Sequence, residues 1–295
     1  MKPAPFDYHR AQSAADAVAL LAENSDAKIL AGGQSLVPLM NLRLARPAVL
    51  VDINPVRELD YVAVDEDGTT RLGCLCRHAR LETDPLLRQP LLQQAAGCVA
   101  HPQVRARGTL GGSLAHADPA SELPAALVAL DATVVVAGPG GRSRVIPLRD
   151  LATGFLTTTL EPDEMLVEVM IPPQPPQPRA AFREIAPRHG DFATAGVGVQ
   201  LSFESGSCVS AAAGGCGLAT TPVDLGPALQ RLVGEATLTD RLLAEVAGPA
   251  SQAFEPIEDL RASAQDRRDL AEILMVDAVR AAWNGQAVRD GEGAG

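Results

Sequence analysis

Two segments with adjacent glycines constrain this chain most, because glycine permits backbone conformations and close approaches that other residues do not. The first reads Ala31-Gly32-Gly33-Gln34-Ser35 and follows a short apolar stretch, Ile29-Leu30. The second lies within residues 104–124 and reads Thr109-Leu110-Gly111-Gly112-Ser113. Successive free N–H groups among small residues form a concave site for an anion. Two segments of the same design therefore predict two sides of one ligand site.

The motifs alone leave two interpretations open. Neither segment is the G-x-G-x-x-G fingerprint of a nicotinamide-binding Rossmann fold or the P-loop of a nucleotide triphosphatase. Lys2 and Lys28 are the chain's two lysines, which argues strongly against a phosphate-gripping lysine. The segments could hold a dinucleotide pyrophosphate through amides and hydroxyls, or they could be tight structural turns, as many isolated Gly-Gly pairs are.

Charge and hydropathy exclude two classes of partner. The formal net charge of −11 argues against nucleic acid, whose phosphates need a basic face. No run of eighteen apolar residues occurs, so the sequence predicts no membrane span. The first ten residues contain no apolar core of a signal peptide, which predicts a cytoplasmic location.

Cysteine usage predicts idle thiols and no metal site. The cysteines form no Cys-x-x-Cys pair and are odd in number: Cys74, Cys76, Cys98, Cys208 and Cys216. Four-thiolate clusters need clustered ligands. We therefore expect buried free thiols in a reducing compartment.

Residue periodicity predicts a mixed α/β chain with one clear boundary. The first unit should be helix, strand, glycine loop, helix and strand, with the helix over 13–23 and the strands over 28–30 and 48–53. Short alternating segments then predict a hairpin over 61–74. Five prolines in the seven residues 172–178 predict a stiff extended connector.

Beyond the connector, strands and then helices predict a sheet faced by helices. The predicted strands are 181–185, 194–203 and 208–213, and the predicted helices are 226–232, 241–247 and 266–283. We interpret Gly214-Gly215-Cys216-Gly217 as a turn and not as a third phosphate loop, because no hydroxyl follows it in the same pattern. Residues 289–295 are polar and glycine-rich, and we expect them to be disordered.

The paired motifs, about 75 residues apart, resemble the signature of the FAD-binding medium subunit of molybdenum hydroxylases, the carbon monoxide dehydrogenase and xanthine dehydrogenase type. Further segments fit the same family across essentially the whole chain: Phe6-Asp7-Tyr8-His9-Arg10, Leu42-Arg43-Leu44, Leu50-Val51-Asp52-Ile53, Ala115–Glu122 and Gly190-Asp191-Phe192-Ala193.

The resemblance implies an α+β fold, with a two-part FAD domain of the vanillyl-alcohol-oxidase type followed by a smaller α/β domain. It implies an FAD-binding domain over 1–173 (parts 1–54 and 55–173), a linker over 174–178 and a C-terminal domain over 179–288.

The resemblance also implies how the cofactor is held. Residues Ala31, Gly32, Gly33, Gln34, Ser35 and Leu36, with Thr109, Leu110, Gly111, Gly112 and Ser113, would hold the pyrophosphate and nearby ribityl oxygens. Glu122 would supply an acidic hydrogen-bonding group, Arg183 a basic group and Ile185 an apolar group near the flavin. Asp191-Phe192 stands where the family often has Asp-Tyr. Because Phe192 lacks the tyrosine hydroxyl, it cannot gate the flavin through such a hydroxyl.

The implied reaction is electron transfer. A large partner subunit with a molybdenum cofactor would oxidise the organic substrate. A small subunit with two [2Fe–2S] clusters would deliver the electrons to FAD, and FAD would pass them to an external acceptor. The assembly would be a dimer of heterotrimers. No residue of this chain is expected to act on the substrate, for which N-heterocycles, purines, aldehydes and carbon monoxide are all open. The variants at 31–35 and 115–122 favour an N-heterocycle.

Two alternatives are a stand-alone flavin oxidase of the vanillyl-alcohol type and a non-catalytic scaffold. The low aromatic content of 3% disfavours the oxidase, which would need its own substrate cavity. Intact glycine segments disfavour the scaffold. We expect His101, His116 and His189, which accompany the motifs, to have structural roles.

Overall fold

A computed structural model describes residues 2–285, so the tail predicted to be disordered, 289–295, lies outside the described residues. The chain begins with a three-stranded parallel sheet in the order β1-β3-β2, accompanied by two helices. These elements are β1 (Asp7–Arg10), α1 (Ala14–Glu23), β2 (Ala27–Leu30), α2 (Leu36–Asn41) and β3 (Val49–Asp52).

Local sequence explains most of this first unit. Ser13 caps α1 by accepting a hydrogen bond from the Asp16 amide. Strand β3 is buried along its whole length and is the central strand, as its continuous apolar run predicts. Strand β1 was not predicted, because its four residues are polar and exposed. It is a strand only because it pairs with β3.

The next region contains a five-stranded antiparallel sheet in the order β4-β5-β10-β6-β7, a two-stranded hairpin and five helices. The strands are β4 (Val62–Val64), β5 (Thr70–Gly73), β6 (Thr133–Gly138), β7 (Arg142–Pro147), β8 (Ala152–Gly154), β9 (Thr157–Thr158) and β10 (Met165–Ile171). The helices are α3 (His78–Thr83), α4 (Pro90–Cys98), α5 (Pro102–Arg105), α6 (Leu110–His116) and α7 (Glu122–Ala129). The predicted hairpin over 61–74 is confirmed by the β4–β5 pairing.

The proline-rich segment forms no helix or strand, as predicted, and leads into a four-stranded antiparallel sheet in the order β11-β12-β13-β14. The strands are β11 (Arg179–Ile185), β12 (Ala195–Glu204), β13 (Ser207–Cys216) and β14 (Val223–Asp224), and two long helices follow, α8 (Asp240–Ser251) and α9 (Ala264–Trp283). Ser263 and Asp266 form a reciprocal capping box at the start of α9.

One correction concerns the glycines of β13. Gly214, Gly215 and Cys216 continue the strand and pair with β12, so their interpretation as a turn is wrong. Gly214 faces α7 so closely that a β-carbon would overlap the Ala125 carbonyl oxygen. Gly214 is therefore required by helix–sheet packing, which the sequence pattern does not reveal. A β-carbon on Gly215 would instead lie 2.6 Å from the Leu218 side chain. Gly217, just beyond the strand, has a left-handed φ of 66°.

The sheet β11–β13 separates two hydrophobic cores. Ala180 and Phe182 of β11 belong to the core built mainly from residues 11–171, whereas Ala181 between them belongs to a core extending to Ala282. This follows from the alternation of side chains along a strand. Among residues 2–285, no helix combines the length and hydropathy needed to cross a membrane.

Candidate functional site

The first glycine loop leaves the carboxyl end of β2 and enters α2. Gly33 has a φ of 72°, in the left-handed region that favours glycine. The amides of Gly33, Gln34 and Ser35 donate to no other group within residues 2–285. The Ser35 hydroxyl occupies the N-cap position of α2 without capping it. This loop therefore presents three amides and a hydroxyl to a ligand.

The second glycine segment has a different local structure, because it begins helix α6. Thr109 caps this helix through its side-chain oxygen, which accepts from the Gly112 amide at 3.2 Å. The Leu110 and Gly111 amides donate to the carbonyls of Cys76 and Cys74, at 2.9 and 2.8 Å. The expected pair of equivalent amide-lined loops is thus not seen, since the second segment uses its own amides to form and anchor a helix.

The two segments nevertheless meet. A β-carbon on Gly32 would overlap the carbonyl oxygen of Arg107 and lie 2.9 Å from the Gly108 α-carbon. Gly108 in turn lies against His78, where a β-carbon would be 2.8 Å from the imidazole ring. Glycine is therefore needed at positions 32 and 108, because the backbone of Gly32, the backbone at Arg107–Gly108 and the ring of His78 pack directly on one another.

His78 is a buried residue that the sequence did not single out. Neither ring nitrogen has a hydrogen-bond partner within the described chain. Burial lowers the pKa of His78 to about 4, so the ring is neutral at physiological pH. It therefore fills the space behind Gly108 as an uncharged group.

A cavity of about 470 Å³ opens beside the first loop. Its lining combines the loop with the carboxyl edge of the parallel sheet and includes Tyr8, Ala31, Gly32, Gly33, Gln34, Asp52, Asn54 and Arg107. This size is within the range of small-molecule sites. The cavity can accept the polar part of a dinucleotide beside the unpartnered amides.

Glu122, which is buried, and Glu184, which is half-buried, form an acidic pair at the boundary between the two cores. Glu122 begins α7 and is 5% exposed, while Glu184 lies on the face of β11 that packs against the first core. Burial, and then the charge of Glu184, raise the pKa of Glu122 to about 8. Burial raises the pKa of Glu184 to about 7. The pair therefore holds a proton near neutral pH.

Arg183 lies on the opposite face of β11 from Glu184. Its guanidinium binds the Asp277 carboxylate of α9 at 3.0 Å. The structure therefore does not bring Arg183 to the Glu122–Glu184 pair. The sequence predicted Glu122 but missed Glu184, which the alternation along β11 could have indicated once the orientation of the strand was known.

Residues 186–193 form a loop beside the start of α5. Ile185 and Phe192, at the two ends of the loop, are 41% and 48% exposed, which leaves an apolar surface for a ligand or partner. His189 lies edge-on to His101, with ring centroids 5.9 Å apart. Since His101 precedes α5 and the second glycine segment, the fold brings this loop next to the predicted site, with Asp191 among its residues.

The five cysteines are free, and four of them are buried. Within residues 2–285, no group of three or more His, Cys, Asp or Glu side chains is arranged to hold a metal ion. Burial raises the pKa of Cys74, Cys76 and Cys98 to about 12. These thiols are therefore protonated and unsuited to metal binding at neutral pH.

Comparison with protein families yields two adjoining matches. Residues 4–174 match the FAD binding domain in molybdopterin dehydrogenase. Residues 180–282 match the CO dehydrogenase flavoprotein C-terminal domain.

Individual relatives match over nearly the whole chain. The 6-hydroxypseudooxynicotine dehydrogenase complex subunit alpha of Paenarthrobacter nicotinovorans is 42% identical, covering 93% of both chains. The caffeine dehydrogenase subunit beta of Pseudomonas sp. is 39% identical over 95% of both. The structure of quinoline 2-oxidoreductase from Pseudomonas putida superposes with a TM-score of 0.90 at 35% identity, covering 98% of this chain and 100% of the other.

Proposed function

The chain belongs to the family of FAD-binding medium subunits of molybdenum hydroxylases, and on this premise we propose that its two glycine segments hold the FAD pyrophosphate between them. The observation that carries this proposal is the contact of Gly32 with Arg107 and Gly108, which joins the segments at one cleft. FAD is the cofactor of this oxidoreductase subunit.

The groups present fit a pyrophosphate. Among residues 2–285, the amides of Gly33, Gln34 and Ser35 have no acceptor, and they lie beside a cavity of about 470 Å³. A site without lysine needs such donors for a doubly charged ligand. We assign the amide contacts with the pyrophosphate to Ala31–Leu36 alone, whereas the sequence suggested that the amides of both segments make them.

The second segment has a complementary role in this proposal. Gly112 is exposed and Ser113 is half-buried at the start of α6, where their surface can accept the phosphate and ribityl oxygens. Thr109, Leu110 and Gly111 shape that surface by capping and anchoring the helix. Direct contact with the cofactor thus depends on the Ser113 hydroxyl and on the absence of a side chain at Gly112.

We place the flavin ring toward the boundary between the two cores. Glu122 would hydrogen-bond the cofactor, and Ile185 and Phe192 would cover it from the 186–193 loop with Asp191. Arg183 remains a predicted neighbour of the ring, although Asp277 holds its guanidinium in the described chain. When bound, FAD exchanges one or two electrons. The chain's own residues bind and orient it, exclude water from it and hold a proton at the Glu122–Glu184 pair.

We further propose that the FAD domain is of the vanillyl-alcohol-oxidase type. The parallel sheet β1-β3-β2 would be its first part, 1–54, and the antiparallel sheet its second part, 55–173. The linker 174–178 would lead to the C-terminal domain, 179–288. The separate core of the C-terminal region supports this last division.

In the complex, electrons would originate at the molybdenum cofactor of a large subunit and reach FAD through the [2Fe–2S] clusters of a small subunit. The assembly would be a cytoplasmic dimer of heterotrimers. An N-heterocyclic substrate is supported by the two relatives named for caffeine and quinoline, which both contain such rings. The free, buried cysteines agree with a reducing compartment.

Flavin reconstitution tests the proposal. The purified full chain should show a visible flavin spectrum, or regain one when FAD is added, with one FAD bound per chain. A folded chain that binds no FAD would refute it. Oxidation of an organic substrate by the isolated chain would favour the stand-alone oxidase instead.

A further inference from the structure

Arg77 lies between the two glycine segments and contacts both sides of the cleft. One guanidinium nitrogen, Nη2, donates to Asn54 Oδ1 at 2.7 Å. The other, Nη1, donates to the carbonyl oxygen of Arg107, the same carbonyl that Gly32 faces. The backbone of Arg77 also pairs with Thr109 in an isolated antiparallel bridge.

Asn54 extends this connection to the first loop. Its side-chain amide nitrogen donates to the Ala31 carbonyl at 2.9 Å and to Asp52 Oδ1 at 2.6 Å. The Asn54 backbone amide donates to the same Asp52 oxygen at 3.0 Å, and the Tyr8 hydroxyl donates to Asp52 Oδ2. A continuous series of hydrogen bonds therefore runs from Ala31 through Asn54 and Arg77 to Arg107.

The charge of Arg77 has no carboxylate partner among the ion pairs of residues 2–285. Burial, and then the charge of Arg107, lower the pKa of the Arg77 guanidinium. Placing a half-buried guanidinium on neutral acceptors costs desolvation free energy that a nearby anion can offset. Arg77 and Asn54 line a second cavity of about 430 Å³, and Asn54 also lines the cavity beside the first loop.

We propose that Arg77 is a positioning residue of the FAD site, acting with Asn54 as a clasp that sets the distance between the two glycine segments before the cofactor binds. This rests on the proposed FAD site. The guanidinium fork supplies two donors in a fixed plane, one for each side, which the single ammonium of lysine cannot reproduce.

The test compares Arg77→Lys with Arg80→Lys in the full chain after FAD removal. Arg80 lies on α3, which Arg77 precedes as its N-cap residue, but the Arg80 guanidinium binds Asp60 and Asp84, at 3.1 and 2.8 Å, and neither glycine segment. We expect Arg77→Lys to weaken FAD binding at least about tenfold by fluorescence titration. Arg80→Lys should bind FAD like the unmodified chain.

Two further measurements separate positioning from a general loss of structure. Amide hydrogen exchange in the FAD-free chain should speed up in Arg77→Lys at Val37, Arg107, Gly108 and Leu110, whose amides donate hydrogen bonds within the two segments and their flanks, with the C-terminal region unchanged. The double variant Arg77→Lys/Asn54→Ala should bind FAD about as weakly as the weaker single variant, because both changes break one series of hydrogen bonds.

Equal FAD affinities of Arg77→Lys and the unmodified chain, or losses from the two substitutions that simply add, would overturn the clasp. If Arg77→Lys does not fold, Asn54→Ala alone must weaken FAD binding by a similar factor for the proposal to stand. Failure of the FAD site itself would appear in the unmodified and Arg80→Lys chains too, so the two failures are distinguishable.

Discussion

Gly32 and Arg107 are in backbone contact: the position of a β-carbon on Gly32 is taken by the carbonyl oxygen of Arg107. These residues belong to different segments, 75 positions apart, and their contact brings the first glycine loop against the approach to helix α6. The same carbonyl accepts from Arg77, so one peptide group links three parts of the cleft.

The first prediction is that Gly32→Ala weakens FAD binding at least about tenfold, about 1.4 kcal/mol. The added methyl group must push away the main chain at Arg107, which opens the cleft. FAD bound per chain and the dissociation constant measure this. Gly154→Ala is the matched control, because a β-carbon there meets nothing within 4 Å and its backbone has no left-handed φ. Normal FAD affinity in Gly32→Ala would contradict the proposed geometry.

The second prediction concerns Gly112→Val, which should abolish FAD retention while the C-terminal region stays folded. A β-carbon at Gly112 would lie 2.7 Å from the Thr109 side-chain oxygen, and the larger side chain would occupy the exposed surface on which we propose that the cofactor lies. Limited proteolysis reports the integrity of residues 179–285, and the visible spectrum reports flavin. Full flavin content would show that the cofactor does not approach α6.

The third prediction is a pH dependence caused by Glu122 and Glu184. Their folded pKa values, about 8 and about 7, exceed the unfolded value of 4.5. Between pH 4.5 and about pH 8 the folded chain holds more protons than the unfolded chain. The free energy of unfolding therefore falls as pH rises, by up to about 1.4 kcal/mol per pH unit for each proton. Below pH 4.5 and above pH 8 this contribution is constant.

Glu122→Gln should flatten this profile and raise stability at pH 8 relative to the unmodified chain. Urea unfolding of FAD-free protein between pH 5 and pH 9, a range that spans the pKa values of both groups, measures it. Glu23→Gln, at an exposed position at the end of α1, should leave the profile unchanged. An unaltered slope in Glu122→Gln would mean that this carboxyl does not hold the proton.

The fourth prediction is that the five thiols react slowly in the native chain. Burial raises the pKa of every cysteine, and of Cys74, Cys76 and Cys98 to about 12, so little thiolate forms at pH 8. Labelling with a disulfide reagent should be slow in buffer and complete, at five per chain, in denaturant. Rapid labelling of the native chain would contradict the burial of these side chains.

Several elements were predictable because their signal is local. Helix α1 has its Ser13 cap and an apolar face, and the β4–β5 hairpin has alternating residues around a turn. Strand β1 and the glycines of β13 lack such a signal. Strand β1 is a strand only because it pairs with β3. Position 214 needs a glycine because α7 packs against it, and position 215 because the Leu218 side chain does.

The sequence by itself determined the order of the elements, the two glycine segments and the family to which they point, since these depend on residue types and their spacing. Only the tertiary structure decided that the two glycine segments use their backbone amides differently. It turned the second into the start of a helix whose amides are used within the fold, and it left the amides of Gly33, Gln34 and Ser35 unpartnered. It also joined the segments through Arg77 and Asn54 and paired Glu122 with Glu184, because contacts between residues far apart in the chain arise only when the sheets and helices pack.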